Sequence, residues 1–235
     1  EMVQAGFPVP NGFVVTSSAY FYFLKENNLE KVIKKHLSNV DVSDTTALQK
    51  SSSAVKKGVE GGNVPEDLAI EIIKHYHMLD QSLKSSFKDQ LVAVRSSATA
   101  EDLKTASFAG QQETFLNIRG DQNVIDAVKK VWASLFEARA IFYREKNKID
   151  HLKLGMAVPV QKMVESDVSG VMFTIDPVTN DKSKITIEAI YGLGELIVQG
   201  EVIPDEFEVF KDTFKKGYPS IISKKLGTKE KSLIY

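Results

Sequence analysis

The chain contains no cysteine, and it has no apolar run long enough to cross a membrane. The lack of cysteine excludes a disulfide framework, a zinc–thiolate centre and a cysteine nucleophile. It is consistent with a reducing compartment, and without a signal-like start we expect a cytoplasmic protein with no membrane partner. The net charge of only −1 argues against nucleic acid as the main partner.

Two standard phosphate-binding motifs are also missing, because the chain has neither a Walker-A glycine–lysine loop nor a GxGxxG segment. Of its four histidines, only His75 and His77 lie close to each other in the sequence. His75 and His77 lie two apart on a predicted helix, and side chains at that spacing do not face each other. We therefore predict no metal site built from histidines.

The 235 residues are enough for one large domain or two small lobes with a real core. Helical patterns dominate up to residue 153, including one long predicted helix over 121–146, and short strands dominate from residue 154. This order predicts an α+β fold with lobes at 1–153 and 154–235 and a ligand cleft between them. The sequence opens on Glu1 instead of an initiator methionine, and it closes on an apolar run instead of a polar tail. We therefore expect a piece truncated at both ends.

The most distinctive stretch covers residues 91–118. An apolar run ends abruptly at Arg95, a loop rich in Ser, Thr and Ala follows, and Gly110 precedes a second extended run. Arginine offers a fork of donors matched to phosphate oxygens, and hydroxyl groups such as that of Ser107 add neutral donors. Two interpretations stay open at this point: a loop that wraps a polyphosphate, and a long polar loop whose arginine is only salt-bridged.

The second half offers weaker signals. Residues 158–165 form an apolar strand-to-loop segment that would suit either a buried strand or the edge of a purine base. Thr174 closes another apolar strand, and residues 175–180 have the composition of a turn. Any of several acidic residues near glycines could hold Mg²⁺ together with substrate phosphates, and spacing does not select one. These residues are Glu188, Glu195, Glu201, Asp205 and Glu206.

Three long segments, in order, resemble one known family. They are VAVRSSATAEDLKTASFAGQQETFLNI, MAVPVQKMVESDVSGVMFTIDP and IEAIYGLGELIVQGEVIPDEF, and the lead-in GFPVPNGFVVTSSAY belongs to the same pattern. Together they are similar to the ATP-binding domain of the phosphoenolpyruvate-utilising enzymes, in the pyruvate, water dikinase branch. The resemblance runs over nearly the whole chain.

This resemblance implies an ATP-grasp-like fold that binds ATP with Mg²⁺. In the family, a phosphoryl group passes to a histidine on a separate domain and then to pyruvate, giving phosphoenolpyruvate, AMP and phosphate. It implies that Arg95 binds the triphosphate, that Gly110 belongs to a glycine turn over the phosphates, and that Thr174 contacts phosphate. The remaining residues of the predicted ATP site are Ser107, Gln161, Met163, Val164 and Glu188, of which Gln161, Met163 and Val164 match the adenine hinge.

The departures from the family pattern matter as much. The family's ATP-contacting lysine, its acidic metal ligand, its Gln-x-Arg-Pro strand, its phosphohistidine motif and its pyruvate domain are all absent from these 235 residues. We therefore expect a fragment with weak or no activity alone, since charge stabilisation of the transferring group is usually the main catalytic term. Two alternatives stay open: the ATP domain of a rifampin-type antibiotic phosphotransferase, and a non-catalytic nucleotide-binding module.

Overall fold

A computed structural model describes residues 1–79, 90–98, 102–103, 106–107 and 114–234, with side chains for all of these except 102–103 and 106–107. The chain divides into two compact units, Glu1–Met163 and Val164–Tyr235. The mixture of helices with antiparallel sheets confirms the predicted α+β class. Among the described residues, no helix is both long and apolar enough to span a bilayer.

The first unit carries most of the helices. They are α1 (Ser17–Glu26), α2 (Leu29–Leu37), α3 (Thr45–Glu60), α4 (Glu66–Met78), α5 (Asp121–Ser134) and α6 (Ala138–Lys146). Helix α3 begins after Asp44, whose carboxylate accepts hydrogen bonds from the backbone N–H groups of Thr46 at 2.8 Å and Ala47 at 3.0 Å. This cap satisfies two of the donors that a helix leaves open at its start.

The strands of the first unit form one sheet and one short hairpin. The strands are β1 (Gly12–Val15), β2 (Val92–Val94), β3 (Ser97–Ala98), β4 (Asp102–Leu103), β5 (Ala106–Ser107), β6 (Phe115–Ile118) and β7 (Met156–Lys162). The sheet has the order β1-β7-β2-β6, with β3 also pairing with β7, and β4 pairs with β5. Every one of these pairings is antiparallel.

The core of the first unit forms around Trp132, which is completely buried on α5. Its ring centroid lies 4.8 Å from that of Phe23 and 6.1 Å from that of Tyr20, both also fully buried on α1. Aromatic rings at these separations pack favourably beyond the area that they bury. Tyr20 and Phe23 thus pack α1 against α5 in one shared core.

The predicted helix over 121–146 is wrong in one respect, because the chain forms two helices there instead of one. Helix α5 ends at Ser134, and Glu137 is extended, with φ −57° and ψ 142°. The guanidinium of Arg144, buried on α6, donates to the carbonyl of Leu135 at the break. The Leu135 carbonyl, which has no partner in the next turn of a continuous helix, thus accepts a hydrogen bond from a side chain instead.

The second unit is a four-stranded antiparallel sheet with two short helices. Its elements are β8 (Val168–Phe173), β9 (Lys184–Tyr191), α7 (Glu195–Gln199), β10 (Asp205–Phe210), α8 (Lys211–Lys215) and β11 (Ile221–Lys225), and the strand order is β11-β10-β9-β8. The division after Met163 differs from the predicted lobe boundary after residue 153. Strand β7 accounts for the difference, because it pairs with β1, β2 and β3 of the first unit.

Candidate functional site

Arg95 stands at the end of a buried strand. The three residues of β2 are all buried, and the backbone N–H of Arg95 still donates to the carbonyl of Pro159 on β7 at 2.9 Å. The side chain of Arg95 is exposed and forms no ion pair or hydrogen bond with any of the described residues. The sheet therefore fixes the backbone of this arginine and presents an uncommitted guanidinium.

An open pocket of about 390 Å³ surrounds this position. It brings together Arg95 and Gln161, two residues of the predicted site, with β1 as a further wall. The lining residues are Pro10, Gly12, Phe13, Val14, Arg95, Ser96, Pro159, Val160 and Gln161. The pocket thus combines a cation and a primary amide with an apolar wall, the mixture typical of small-molecule sites.

Gly12 forms the pocket wall where two strands come unusually close. A Cβ atom on Gly12 would lie 2.8 Å from the carbonyl oxygen of Val160 and 3.1 Å from Cα of Gln161. Both atoms belong to the backbone, so they cannot rotate away. The glycine is needed for the close approach of β1 and β7.

The side chain of Gln161 is held in one orientation. Its Nε2 donates to the carbonyl of Pro10 at 3.1 Å. An amide that uses its NH₂ group in this way keeps its carbonyl oxygen as an acceptor. The residue is half-buried and pairs with Gly12 and Ala93 across the sheet.

Met163 and Val164 follow directly after β7. Met163 is 9% exposed, and its N–H donates to the carbonyl of Leu91 at 2.9 Å. Val164 is 56% exposed and begins the second unit. The N–H of Met163 is therefore already committed, which leaves its backbone carbonyl as the polar group that it could offer a ligand.

In the second unit, Glu188 lies in the middle of β9. It pairs with Val171 on β8 and stands directly opposite Glu206 on β10. The Glu206 carboxylate is compensated by Lys225 at 2.9 Å. Like charges directly opposite on neighbouring strands repel each other, so a cation at Glu188 would relieve that repulsion.

Thr174 is exposed at the start of residues 174–183, the segment between β8 and β9 that we call the 174–183 loop. The predicted turn over 175–180 is present. Asp176 accepts hydrogen bonds from the N–H groups of Val178 at 2.8 Å and Thr179 at 3.1 Å. These bonds, first that of Thr179 and then that of Val178, lower the pKa of the Asp176 carboxyl.

Sequence reasoning missed Lys211, whose ammonium donates to the backbone carbonyls of Thr174 and Lys182. No sequence signal identifies it, because it lies 37 residues from Thr174 and belongs to none of the recognised motifs. The pairing of β9 with β10 brings it to the loop.

Two residues of the predicted site have no described side chain. Gly110 lies outside the described residues. Ser107 is described only through its backbone, as part of β5 paired with Asp102 on β4. Their predicted contacts with phosphate stay predictions.

The whole chain, residues 1–235, matches the family model described as the pyruvate phosphate dikinase AMP/ATP-binding domain. It is 53% identical over 232 residues to the phosphoenolpyruvate synthase of Aquifex aeolicus, covering 98% of this chain and 27% of that protein. It is 52% identical over 215 residues to a probable phosphoenolpyruvate synthase of Methanothermobacter thermautotrophicus, covering 92% and 31%.

A third relative is the phosphoenolpyruvate synthase of Helicobacter pylori, 44% identical over 237 residues, with coverage of 100% of this chain and 29% of that protein. The chain thus spans between a quarter and a third of the length of these relatives. These names do not favour the antibiotic phosphotransferase alternative.

Proposed function

Because the chain belongs to the family of pyruvate phosphate dikinase AMP/ATP-binding domains, we propose that it binds ATP and that Arg95 contacts the phosphates. The observation that carries this proposal is the state of Arg95: a backbone tied to β7, an exposed guanidinium, and no ion pair with any described residue. A guanidinium held in this way can bind phosphate oxygens in a bidentate manner without first breaking a salt bridge.

We propose that Gln161, Met163 and Val164 receive the adenine base. A base needs apolar surface and a few polar contacts along its edge. The carbonyl oxygen of the Gln161 amide accepts no hydrogen bond from the described residues, so it and the backbone carbonyl of Met163 are acceptors for an exocyclic amino group. The thioether of Met163 and the side chain of Val164 supply apolar contact.

Ser107, Gly110 and Thr174 would contact the phosphates of the same ATP molecule. Glu188 completes the proposed ATP site. Mg²⁺ accompanies ATP in it, neutralising phosphate charge when bound. Mg²⁺ is usually bound by one or two carboxylates together with substrate phosphates, and Glu188, opposite Glu206, fits that donor requirement. The described residues hold no group of three or more acidic residues or histidines placed to bind a metal ion.

For the longer parent protein, we propose the reaction of a phosphoenolpyruvate synthase. ATP, pyruvate and water would give phosphoenolpyruvate, AMP and phosphate through a phosphorylated histidine on another domain, in the cytoplasm. The names of the relatives support this reaction. The 235 residues contain neither the phosphohistidine motif nor a pyruvate domain, so the chain alone should show weak or no turnover.

Calorimetric titration of the chain with ATP and Mg²⁺ tests the binding proposal. We expect saturable binding that weakens about tenfold or more in Arg95→Ala, since a charge-assisted contact with phosphate is lost. Arg139 is an exposed arginine on α6. Arg139→Ala removes the same charge as Arg95→Ala, so it serves as the matched control and should bind ATP as the unmodified chain does. Equal weakening in the two variants, or no binding by the unmodified chain, would overturn the proposal.

A further inference from the structure

The 174–183 loop is tied together by its own side chains. Beyond the two bonds to Asp176, the carboxylate of Asp181 accepts from the N–H of Ser183 at 2.8 Å and from its hydroxyl at 2.7 Å. The N–H of Asp176 donates to the carbonyl of Asp181 at 3.1 Å. Such turns shape the interior of the loop, but they do not anchor its two ends to the rest of the unit.

Lys211 supplies that anchor. Its backbone N–H donates to the carbonyl of Ser183 at 2.9 Å, where the loop meets β9. Its ammonium donates to the carbonyl of Lys182 at 2.6 Å and also to the carbonyl of Thr174. One side chain therefore joins the first residue of the loop to its last turn.

The chemistry of this contact favours a structural role for the ammonium. An ammonium has three donors and no acceptor, and two of the donors of Lys211 are used on backbone carbonyls. Lys211 forms no ion pair with a carboxylate in the described part of the chain. Its hydrogen bonds thus fix backbone instead of neutralising an acidic residue.

We infer that Lys211 is a positioning residue for Thr174: by holding the Thr174 carbonyl, it sets the direction in which the exposed threonine hydroxyl meets the phosphates of ATP. This inference rests on the proposed function, because the phosphate contact of Thr174 belongs to it. A hydroxyl placed in advance binds phosphate without the cost of ordering the loop first.

The test compares ATP with adenosine, which lacks phosphates, on the same variants. Lys211→Met keeps the length of the side chain and removes its donors. It should weaken ATP binding about fivefold and leave adenosine binding unchanged. Lys211→Arg, which can still donate to two carbonyls, should restore most of the affinity. Lys215→Met removes the same charge from an exposed position on α8 and serves as the control.

A double-mutant cycle separates positioning from direct contact. In a Thr174→Val background, which lacks the hydroxyl, Lys211→Met should cost little further ATP affinity, because the two residues act as one unit. Full additivity of the two losses would mean that Lys211 contacts phosphate itself and would overturn the inference. Faster amide hydrogen exchange at residues 174–183 in nucleotide-free Lys211→Met is also expected.

The outcomes distinguish failure of the proposed function from failure of the inference about Lys211. If the unmodified chain does not bind ATP, the proposed function fails and the inference fails with it. If the unmodified chain binds ATP, and Lys211→Met binds it as tightly as Lys215→Met does, only the inference fails. Circular dichroism of each variant checks that it is folded.

Discussion

The Nε of Arg144 donates to Nδ1 of His151 at 2.9 Å, inside the first unit. Arg144 is almost fully buried, and burial lowers the pKa of its guanidinium to about 10. The other ring nitrogen of His151, Nε2, lies 2.7 Å from the Glu145 carboxylate. Because Nδ1 accepts the arginine proton, the neutral imidazole carries its own proton on Nε2 and donates it to Glu145.

The stability of the first unit should therefore fall at mildly acidic pH. Burial, and then the charge of Arg144, lower the pKa of His151 below its usual value near 6.5, against the opposing effects of Glu145 and Asp150. The unfolded chain then binds the proton first as pH falls. This stability is complete above about pH 6.5 and is lost as pH falls through the lower folded pKa, with a slope of at most ~1.4 kcal/mol per pH unit.

His151→Gln tests this pH dependence, because its amide can accept from Arg144 and donate to Glu145 without titrating. Urea unfolding followed by circular dichroism should show a shallower loss of stability below pH 6.5 in this variant. His36→Gln makes the same chemical change on α2, away from Arg144, and serves as the control. An unchanged slope in His151→Gln would contradict the prediction.

Gly12→Ala should destabilise the first unit and distort the pocket beside Arg95. The added methyl group would collide with the backbones of Val160 and Gln161, at a cost of ~1–3 kcal/mol. Val14→Thr, an exposed β-branched replacement on the same strand, should stay within ~0.5 kcal/mol of the unmodified chain. Urea unfolding measures both variants, and equal stabilities would show that the strands can separate at no cost.

Asp44→Ala should cost ~1 kcal/mol, because it removes the cap that satisfies the N–H groups of Thr46 and Ala47. Asp44→Ser retains a capping oxygen and should recover most of the loss. The free energy of unfolding in urea is again the measurement. If the serine variant is as unstable as the alanine variant, the cap is not the cause.

Gln161→Glu should weaken adenosine and ATP binding to the same extent, about tenfold. It replaces the Nε2 donor with a second acceptor facing the Pro10 carbonyl, so the side chain leaves its position. This pattern differs from that of Arg95→Ala, which should affect ATP and spare adenosine. Calorimetry with both ligands checks it, and a loss confined to ATP would place Gln161 near the phosphates instead of the base.

Local structure could be predicted well from the sequence. The turn over 175–180 was predicted from its composition, and Asp176 accepts two of the hydrogen bonds that close it. The α+β order of helices and strands was readable from periodicity, and the family from its three motifs. The apolar run that ends at Arg95 also predicted correctly that this arginine follows a buried strand.

Long-range contacts were not readable in the same way. The helix break between α5 and α6 coincides with a hydrogen bond from Arg144 to the Leu135 carbonyl. The spacing of apolar residues does not predict such a bond. Lys211 reaches Thr174 only because β9 and β10 pair. The unit boundary after Met163 depends on the partners of β7, which a single strand pattern does not specify.

The burial of Trp132 has a practical consequence for every stability measurement proposed above. It is the single tryptophan of the chain, and it lies in the aromatic core of the first unit. Its intrinsic fluorescence will therefore report the unfolding of Glu1–Met163 alone, and Val164–Tyr235 will be silent in that signal. A mismatch between tryptophan emission and the strand band of the infrared spectrum would reveal that the two units melt separately.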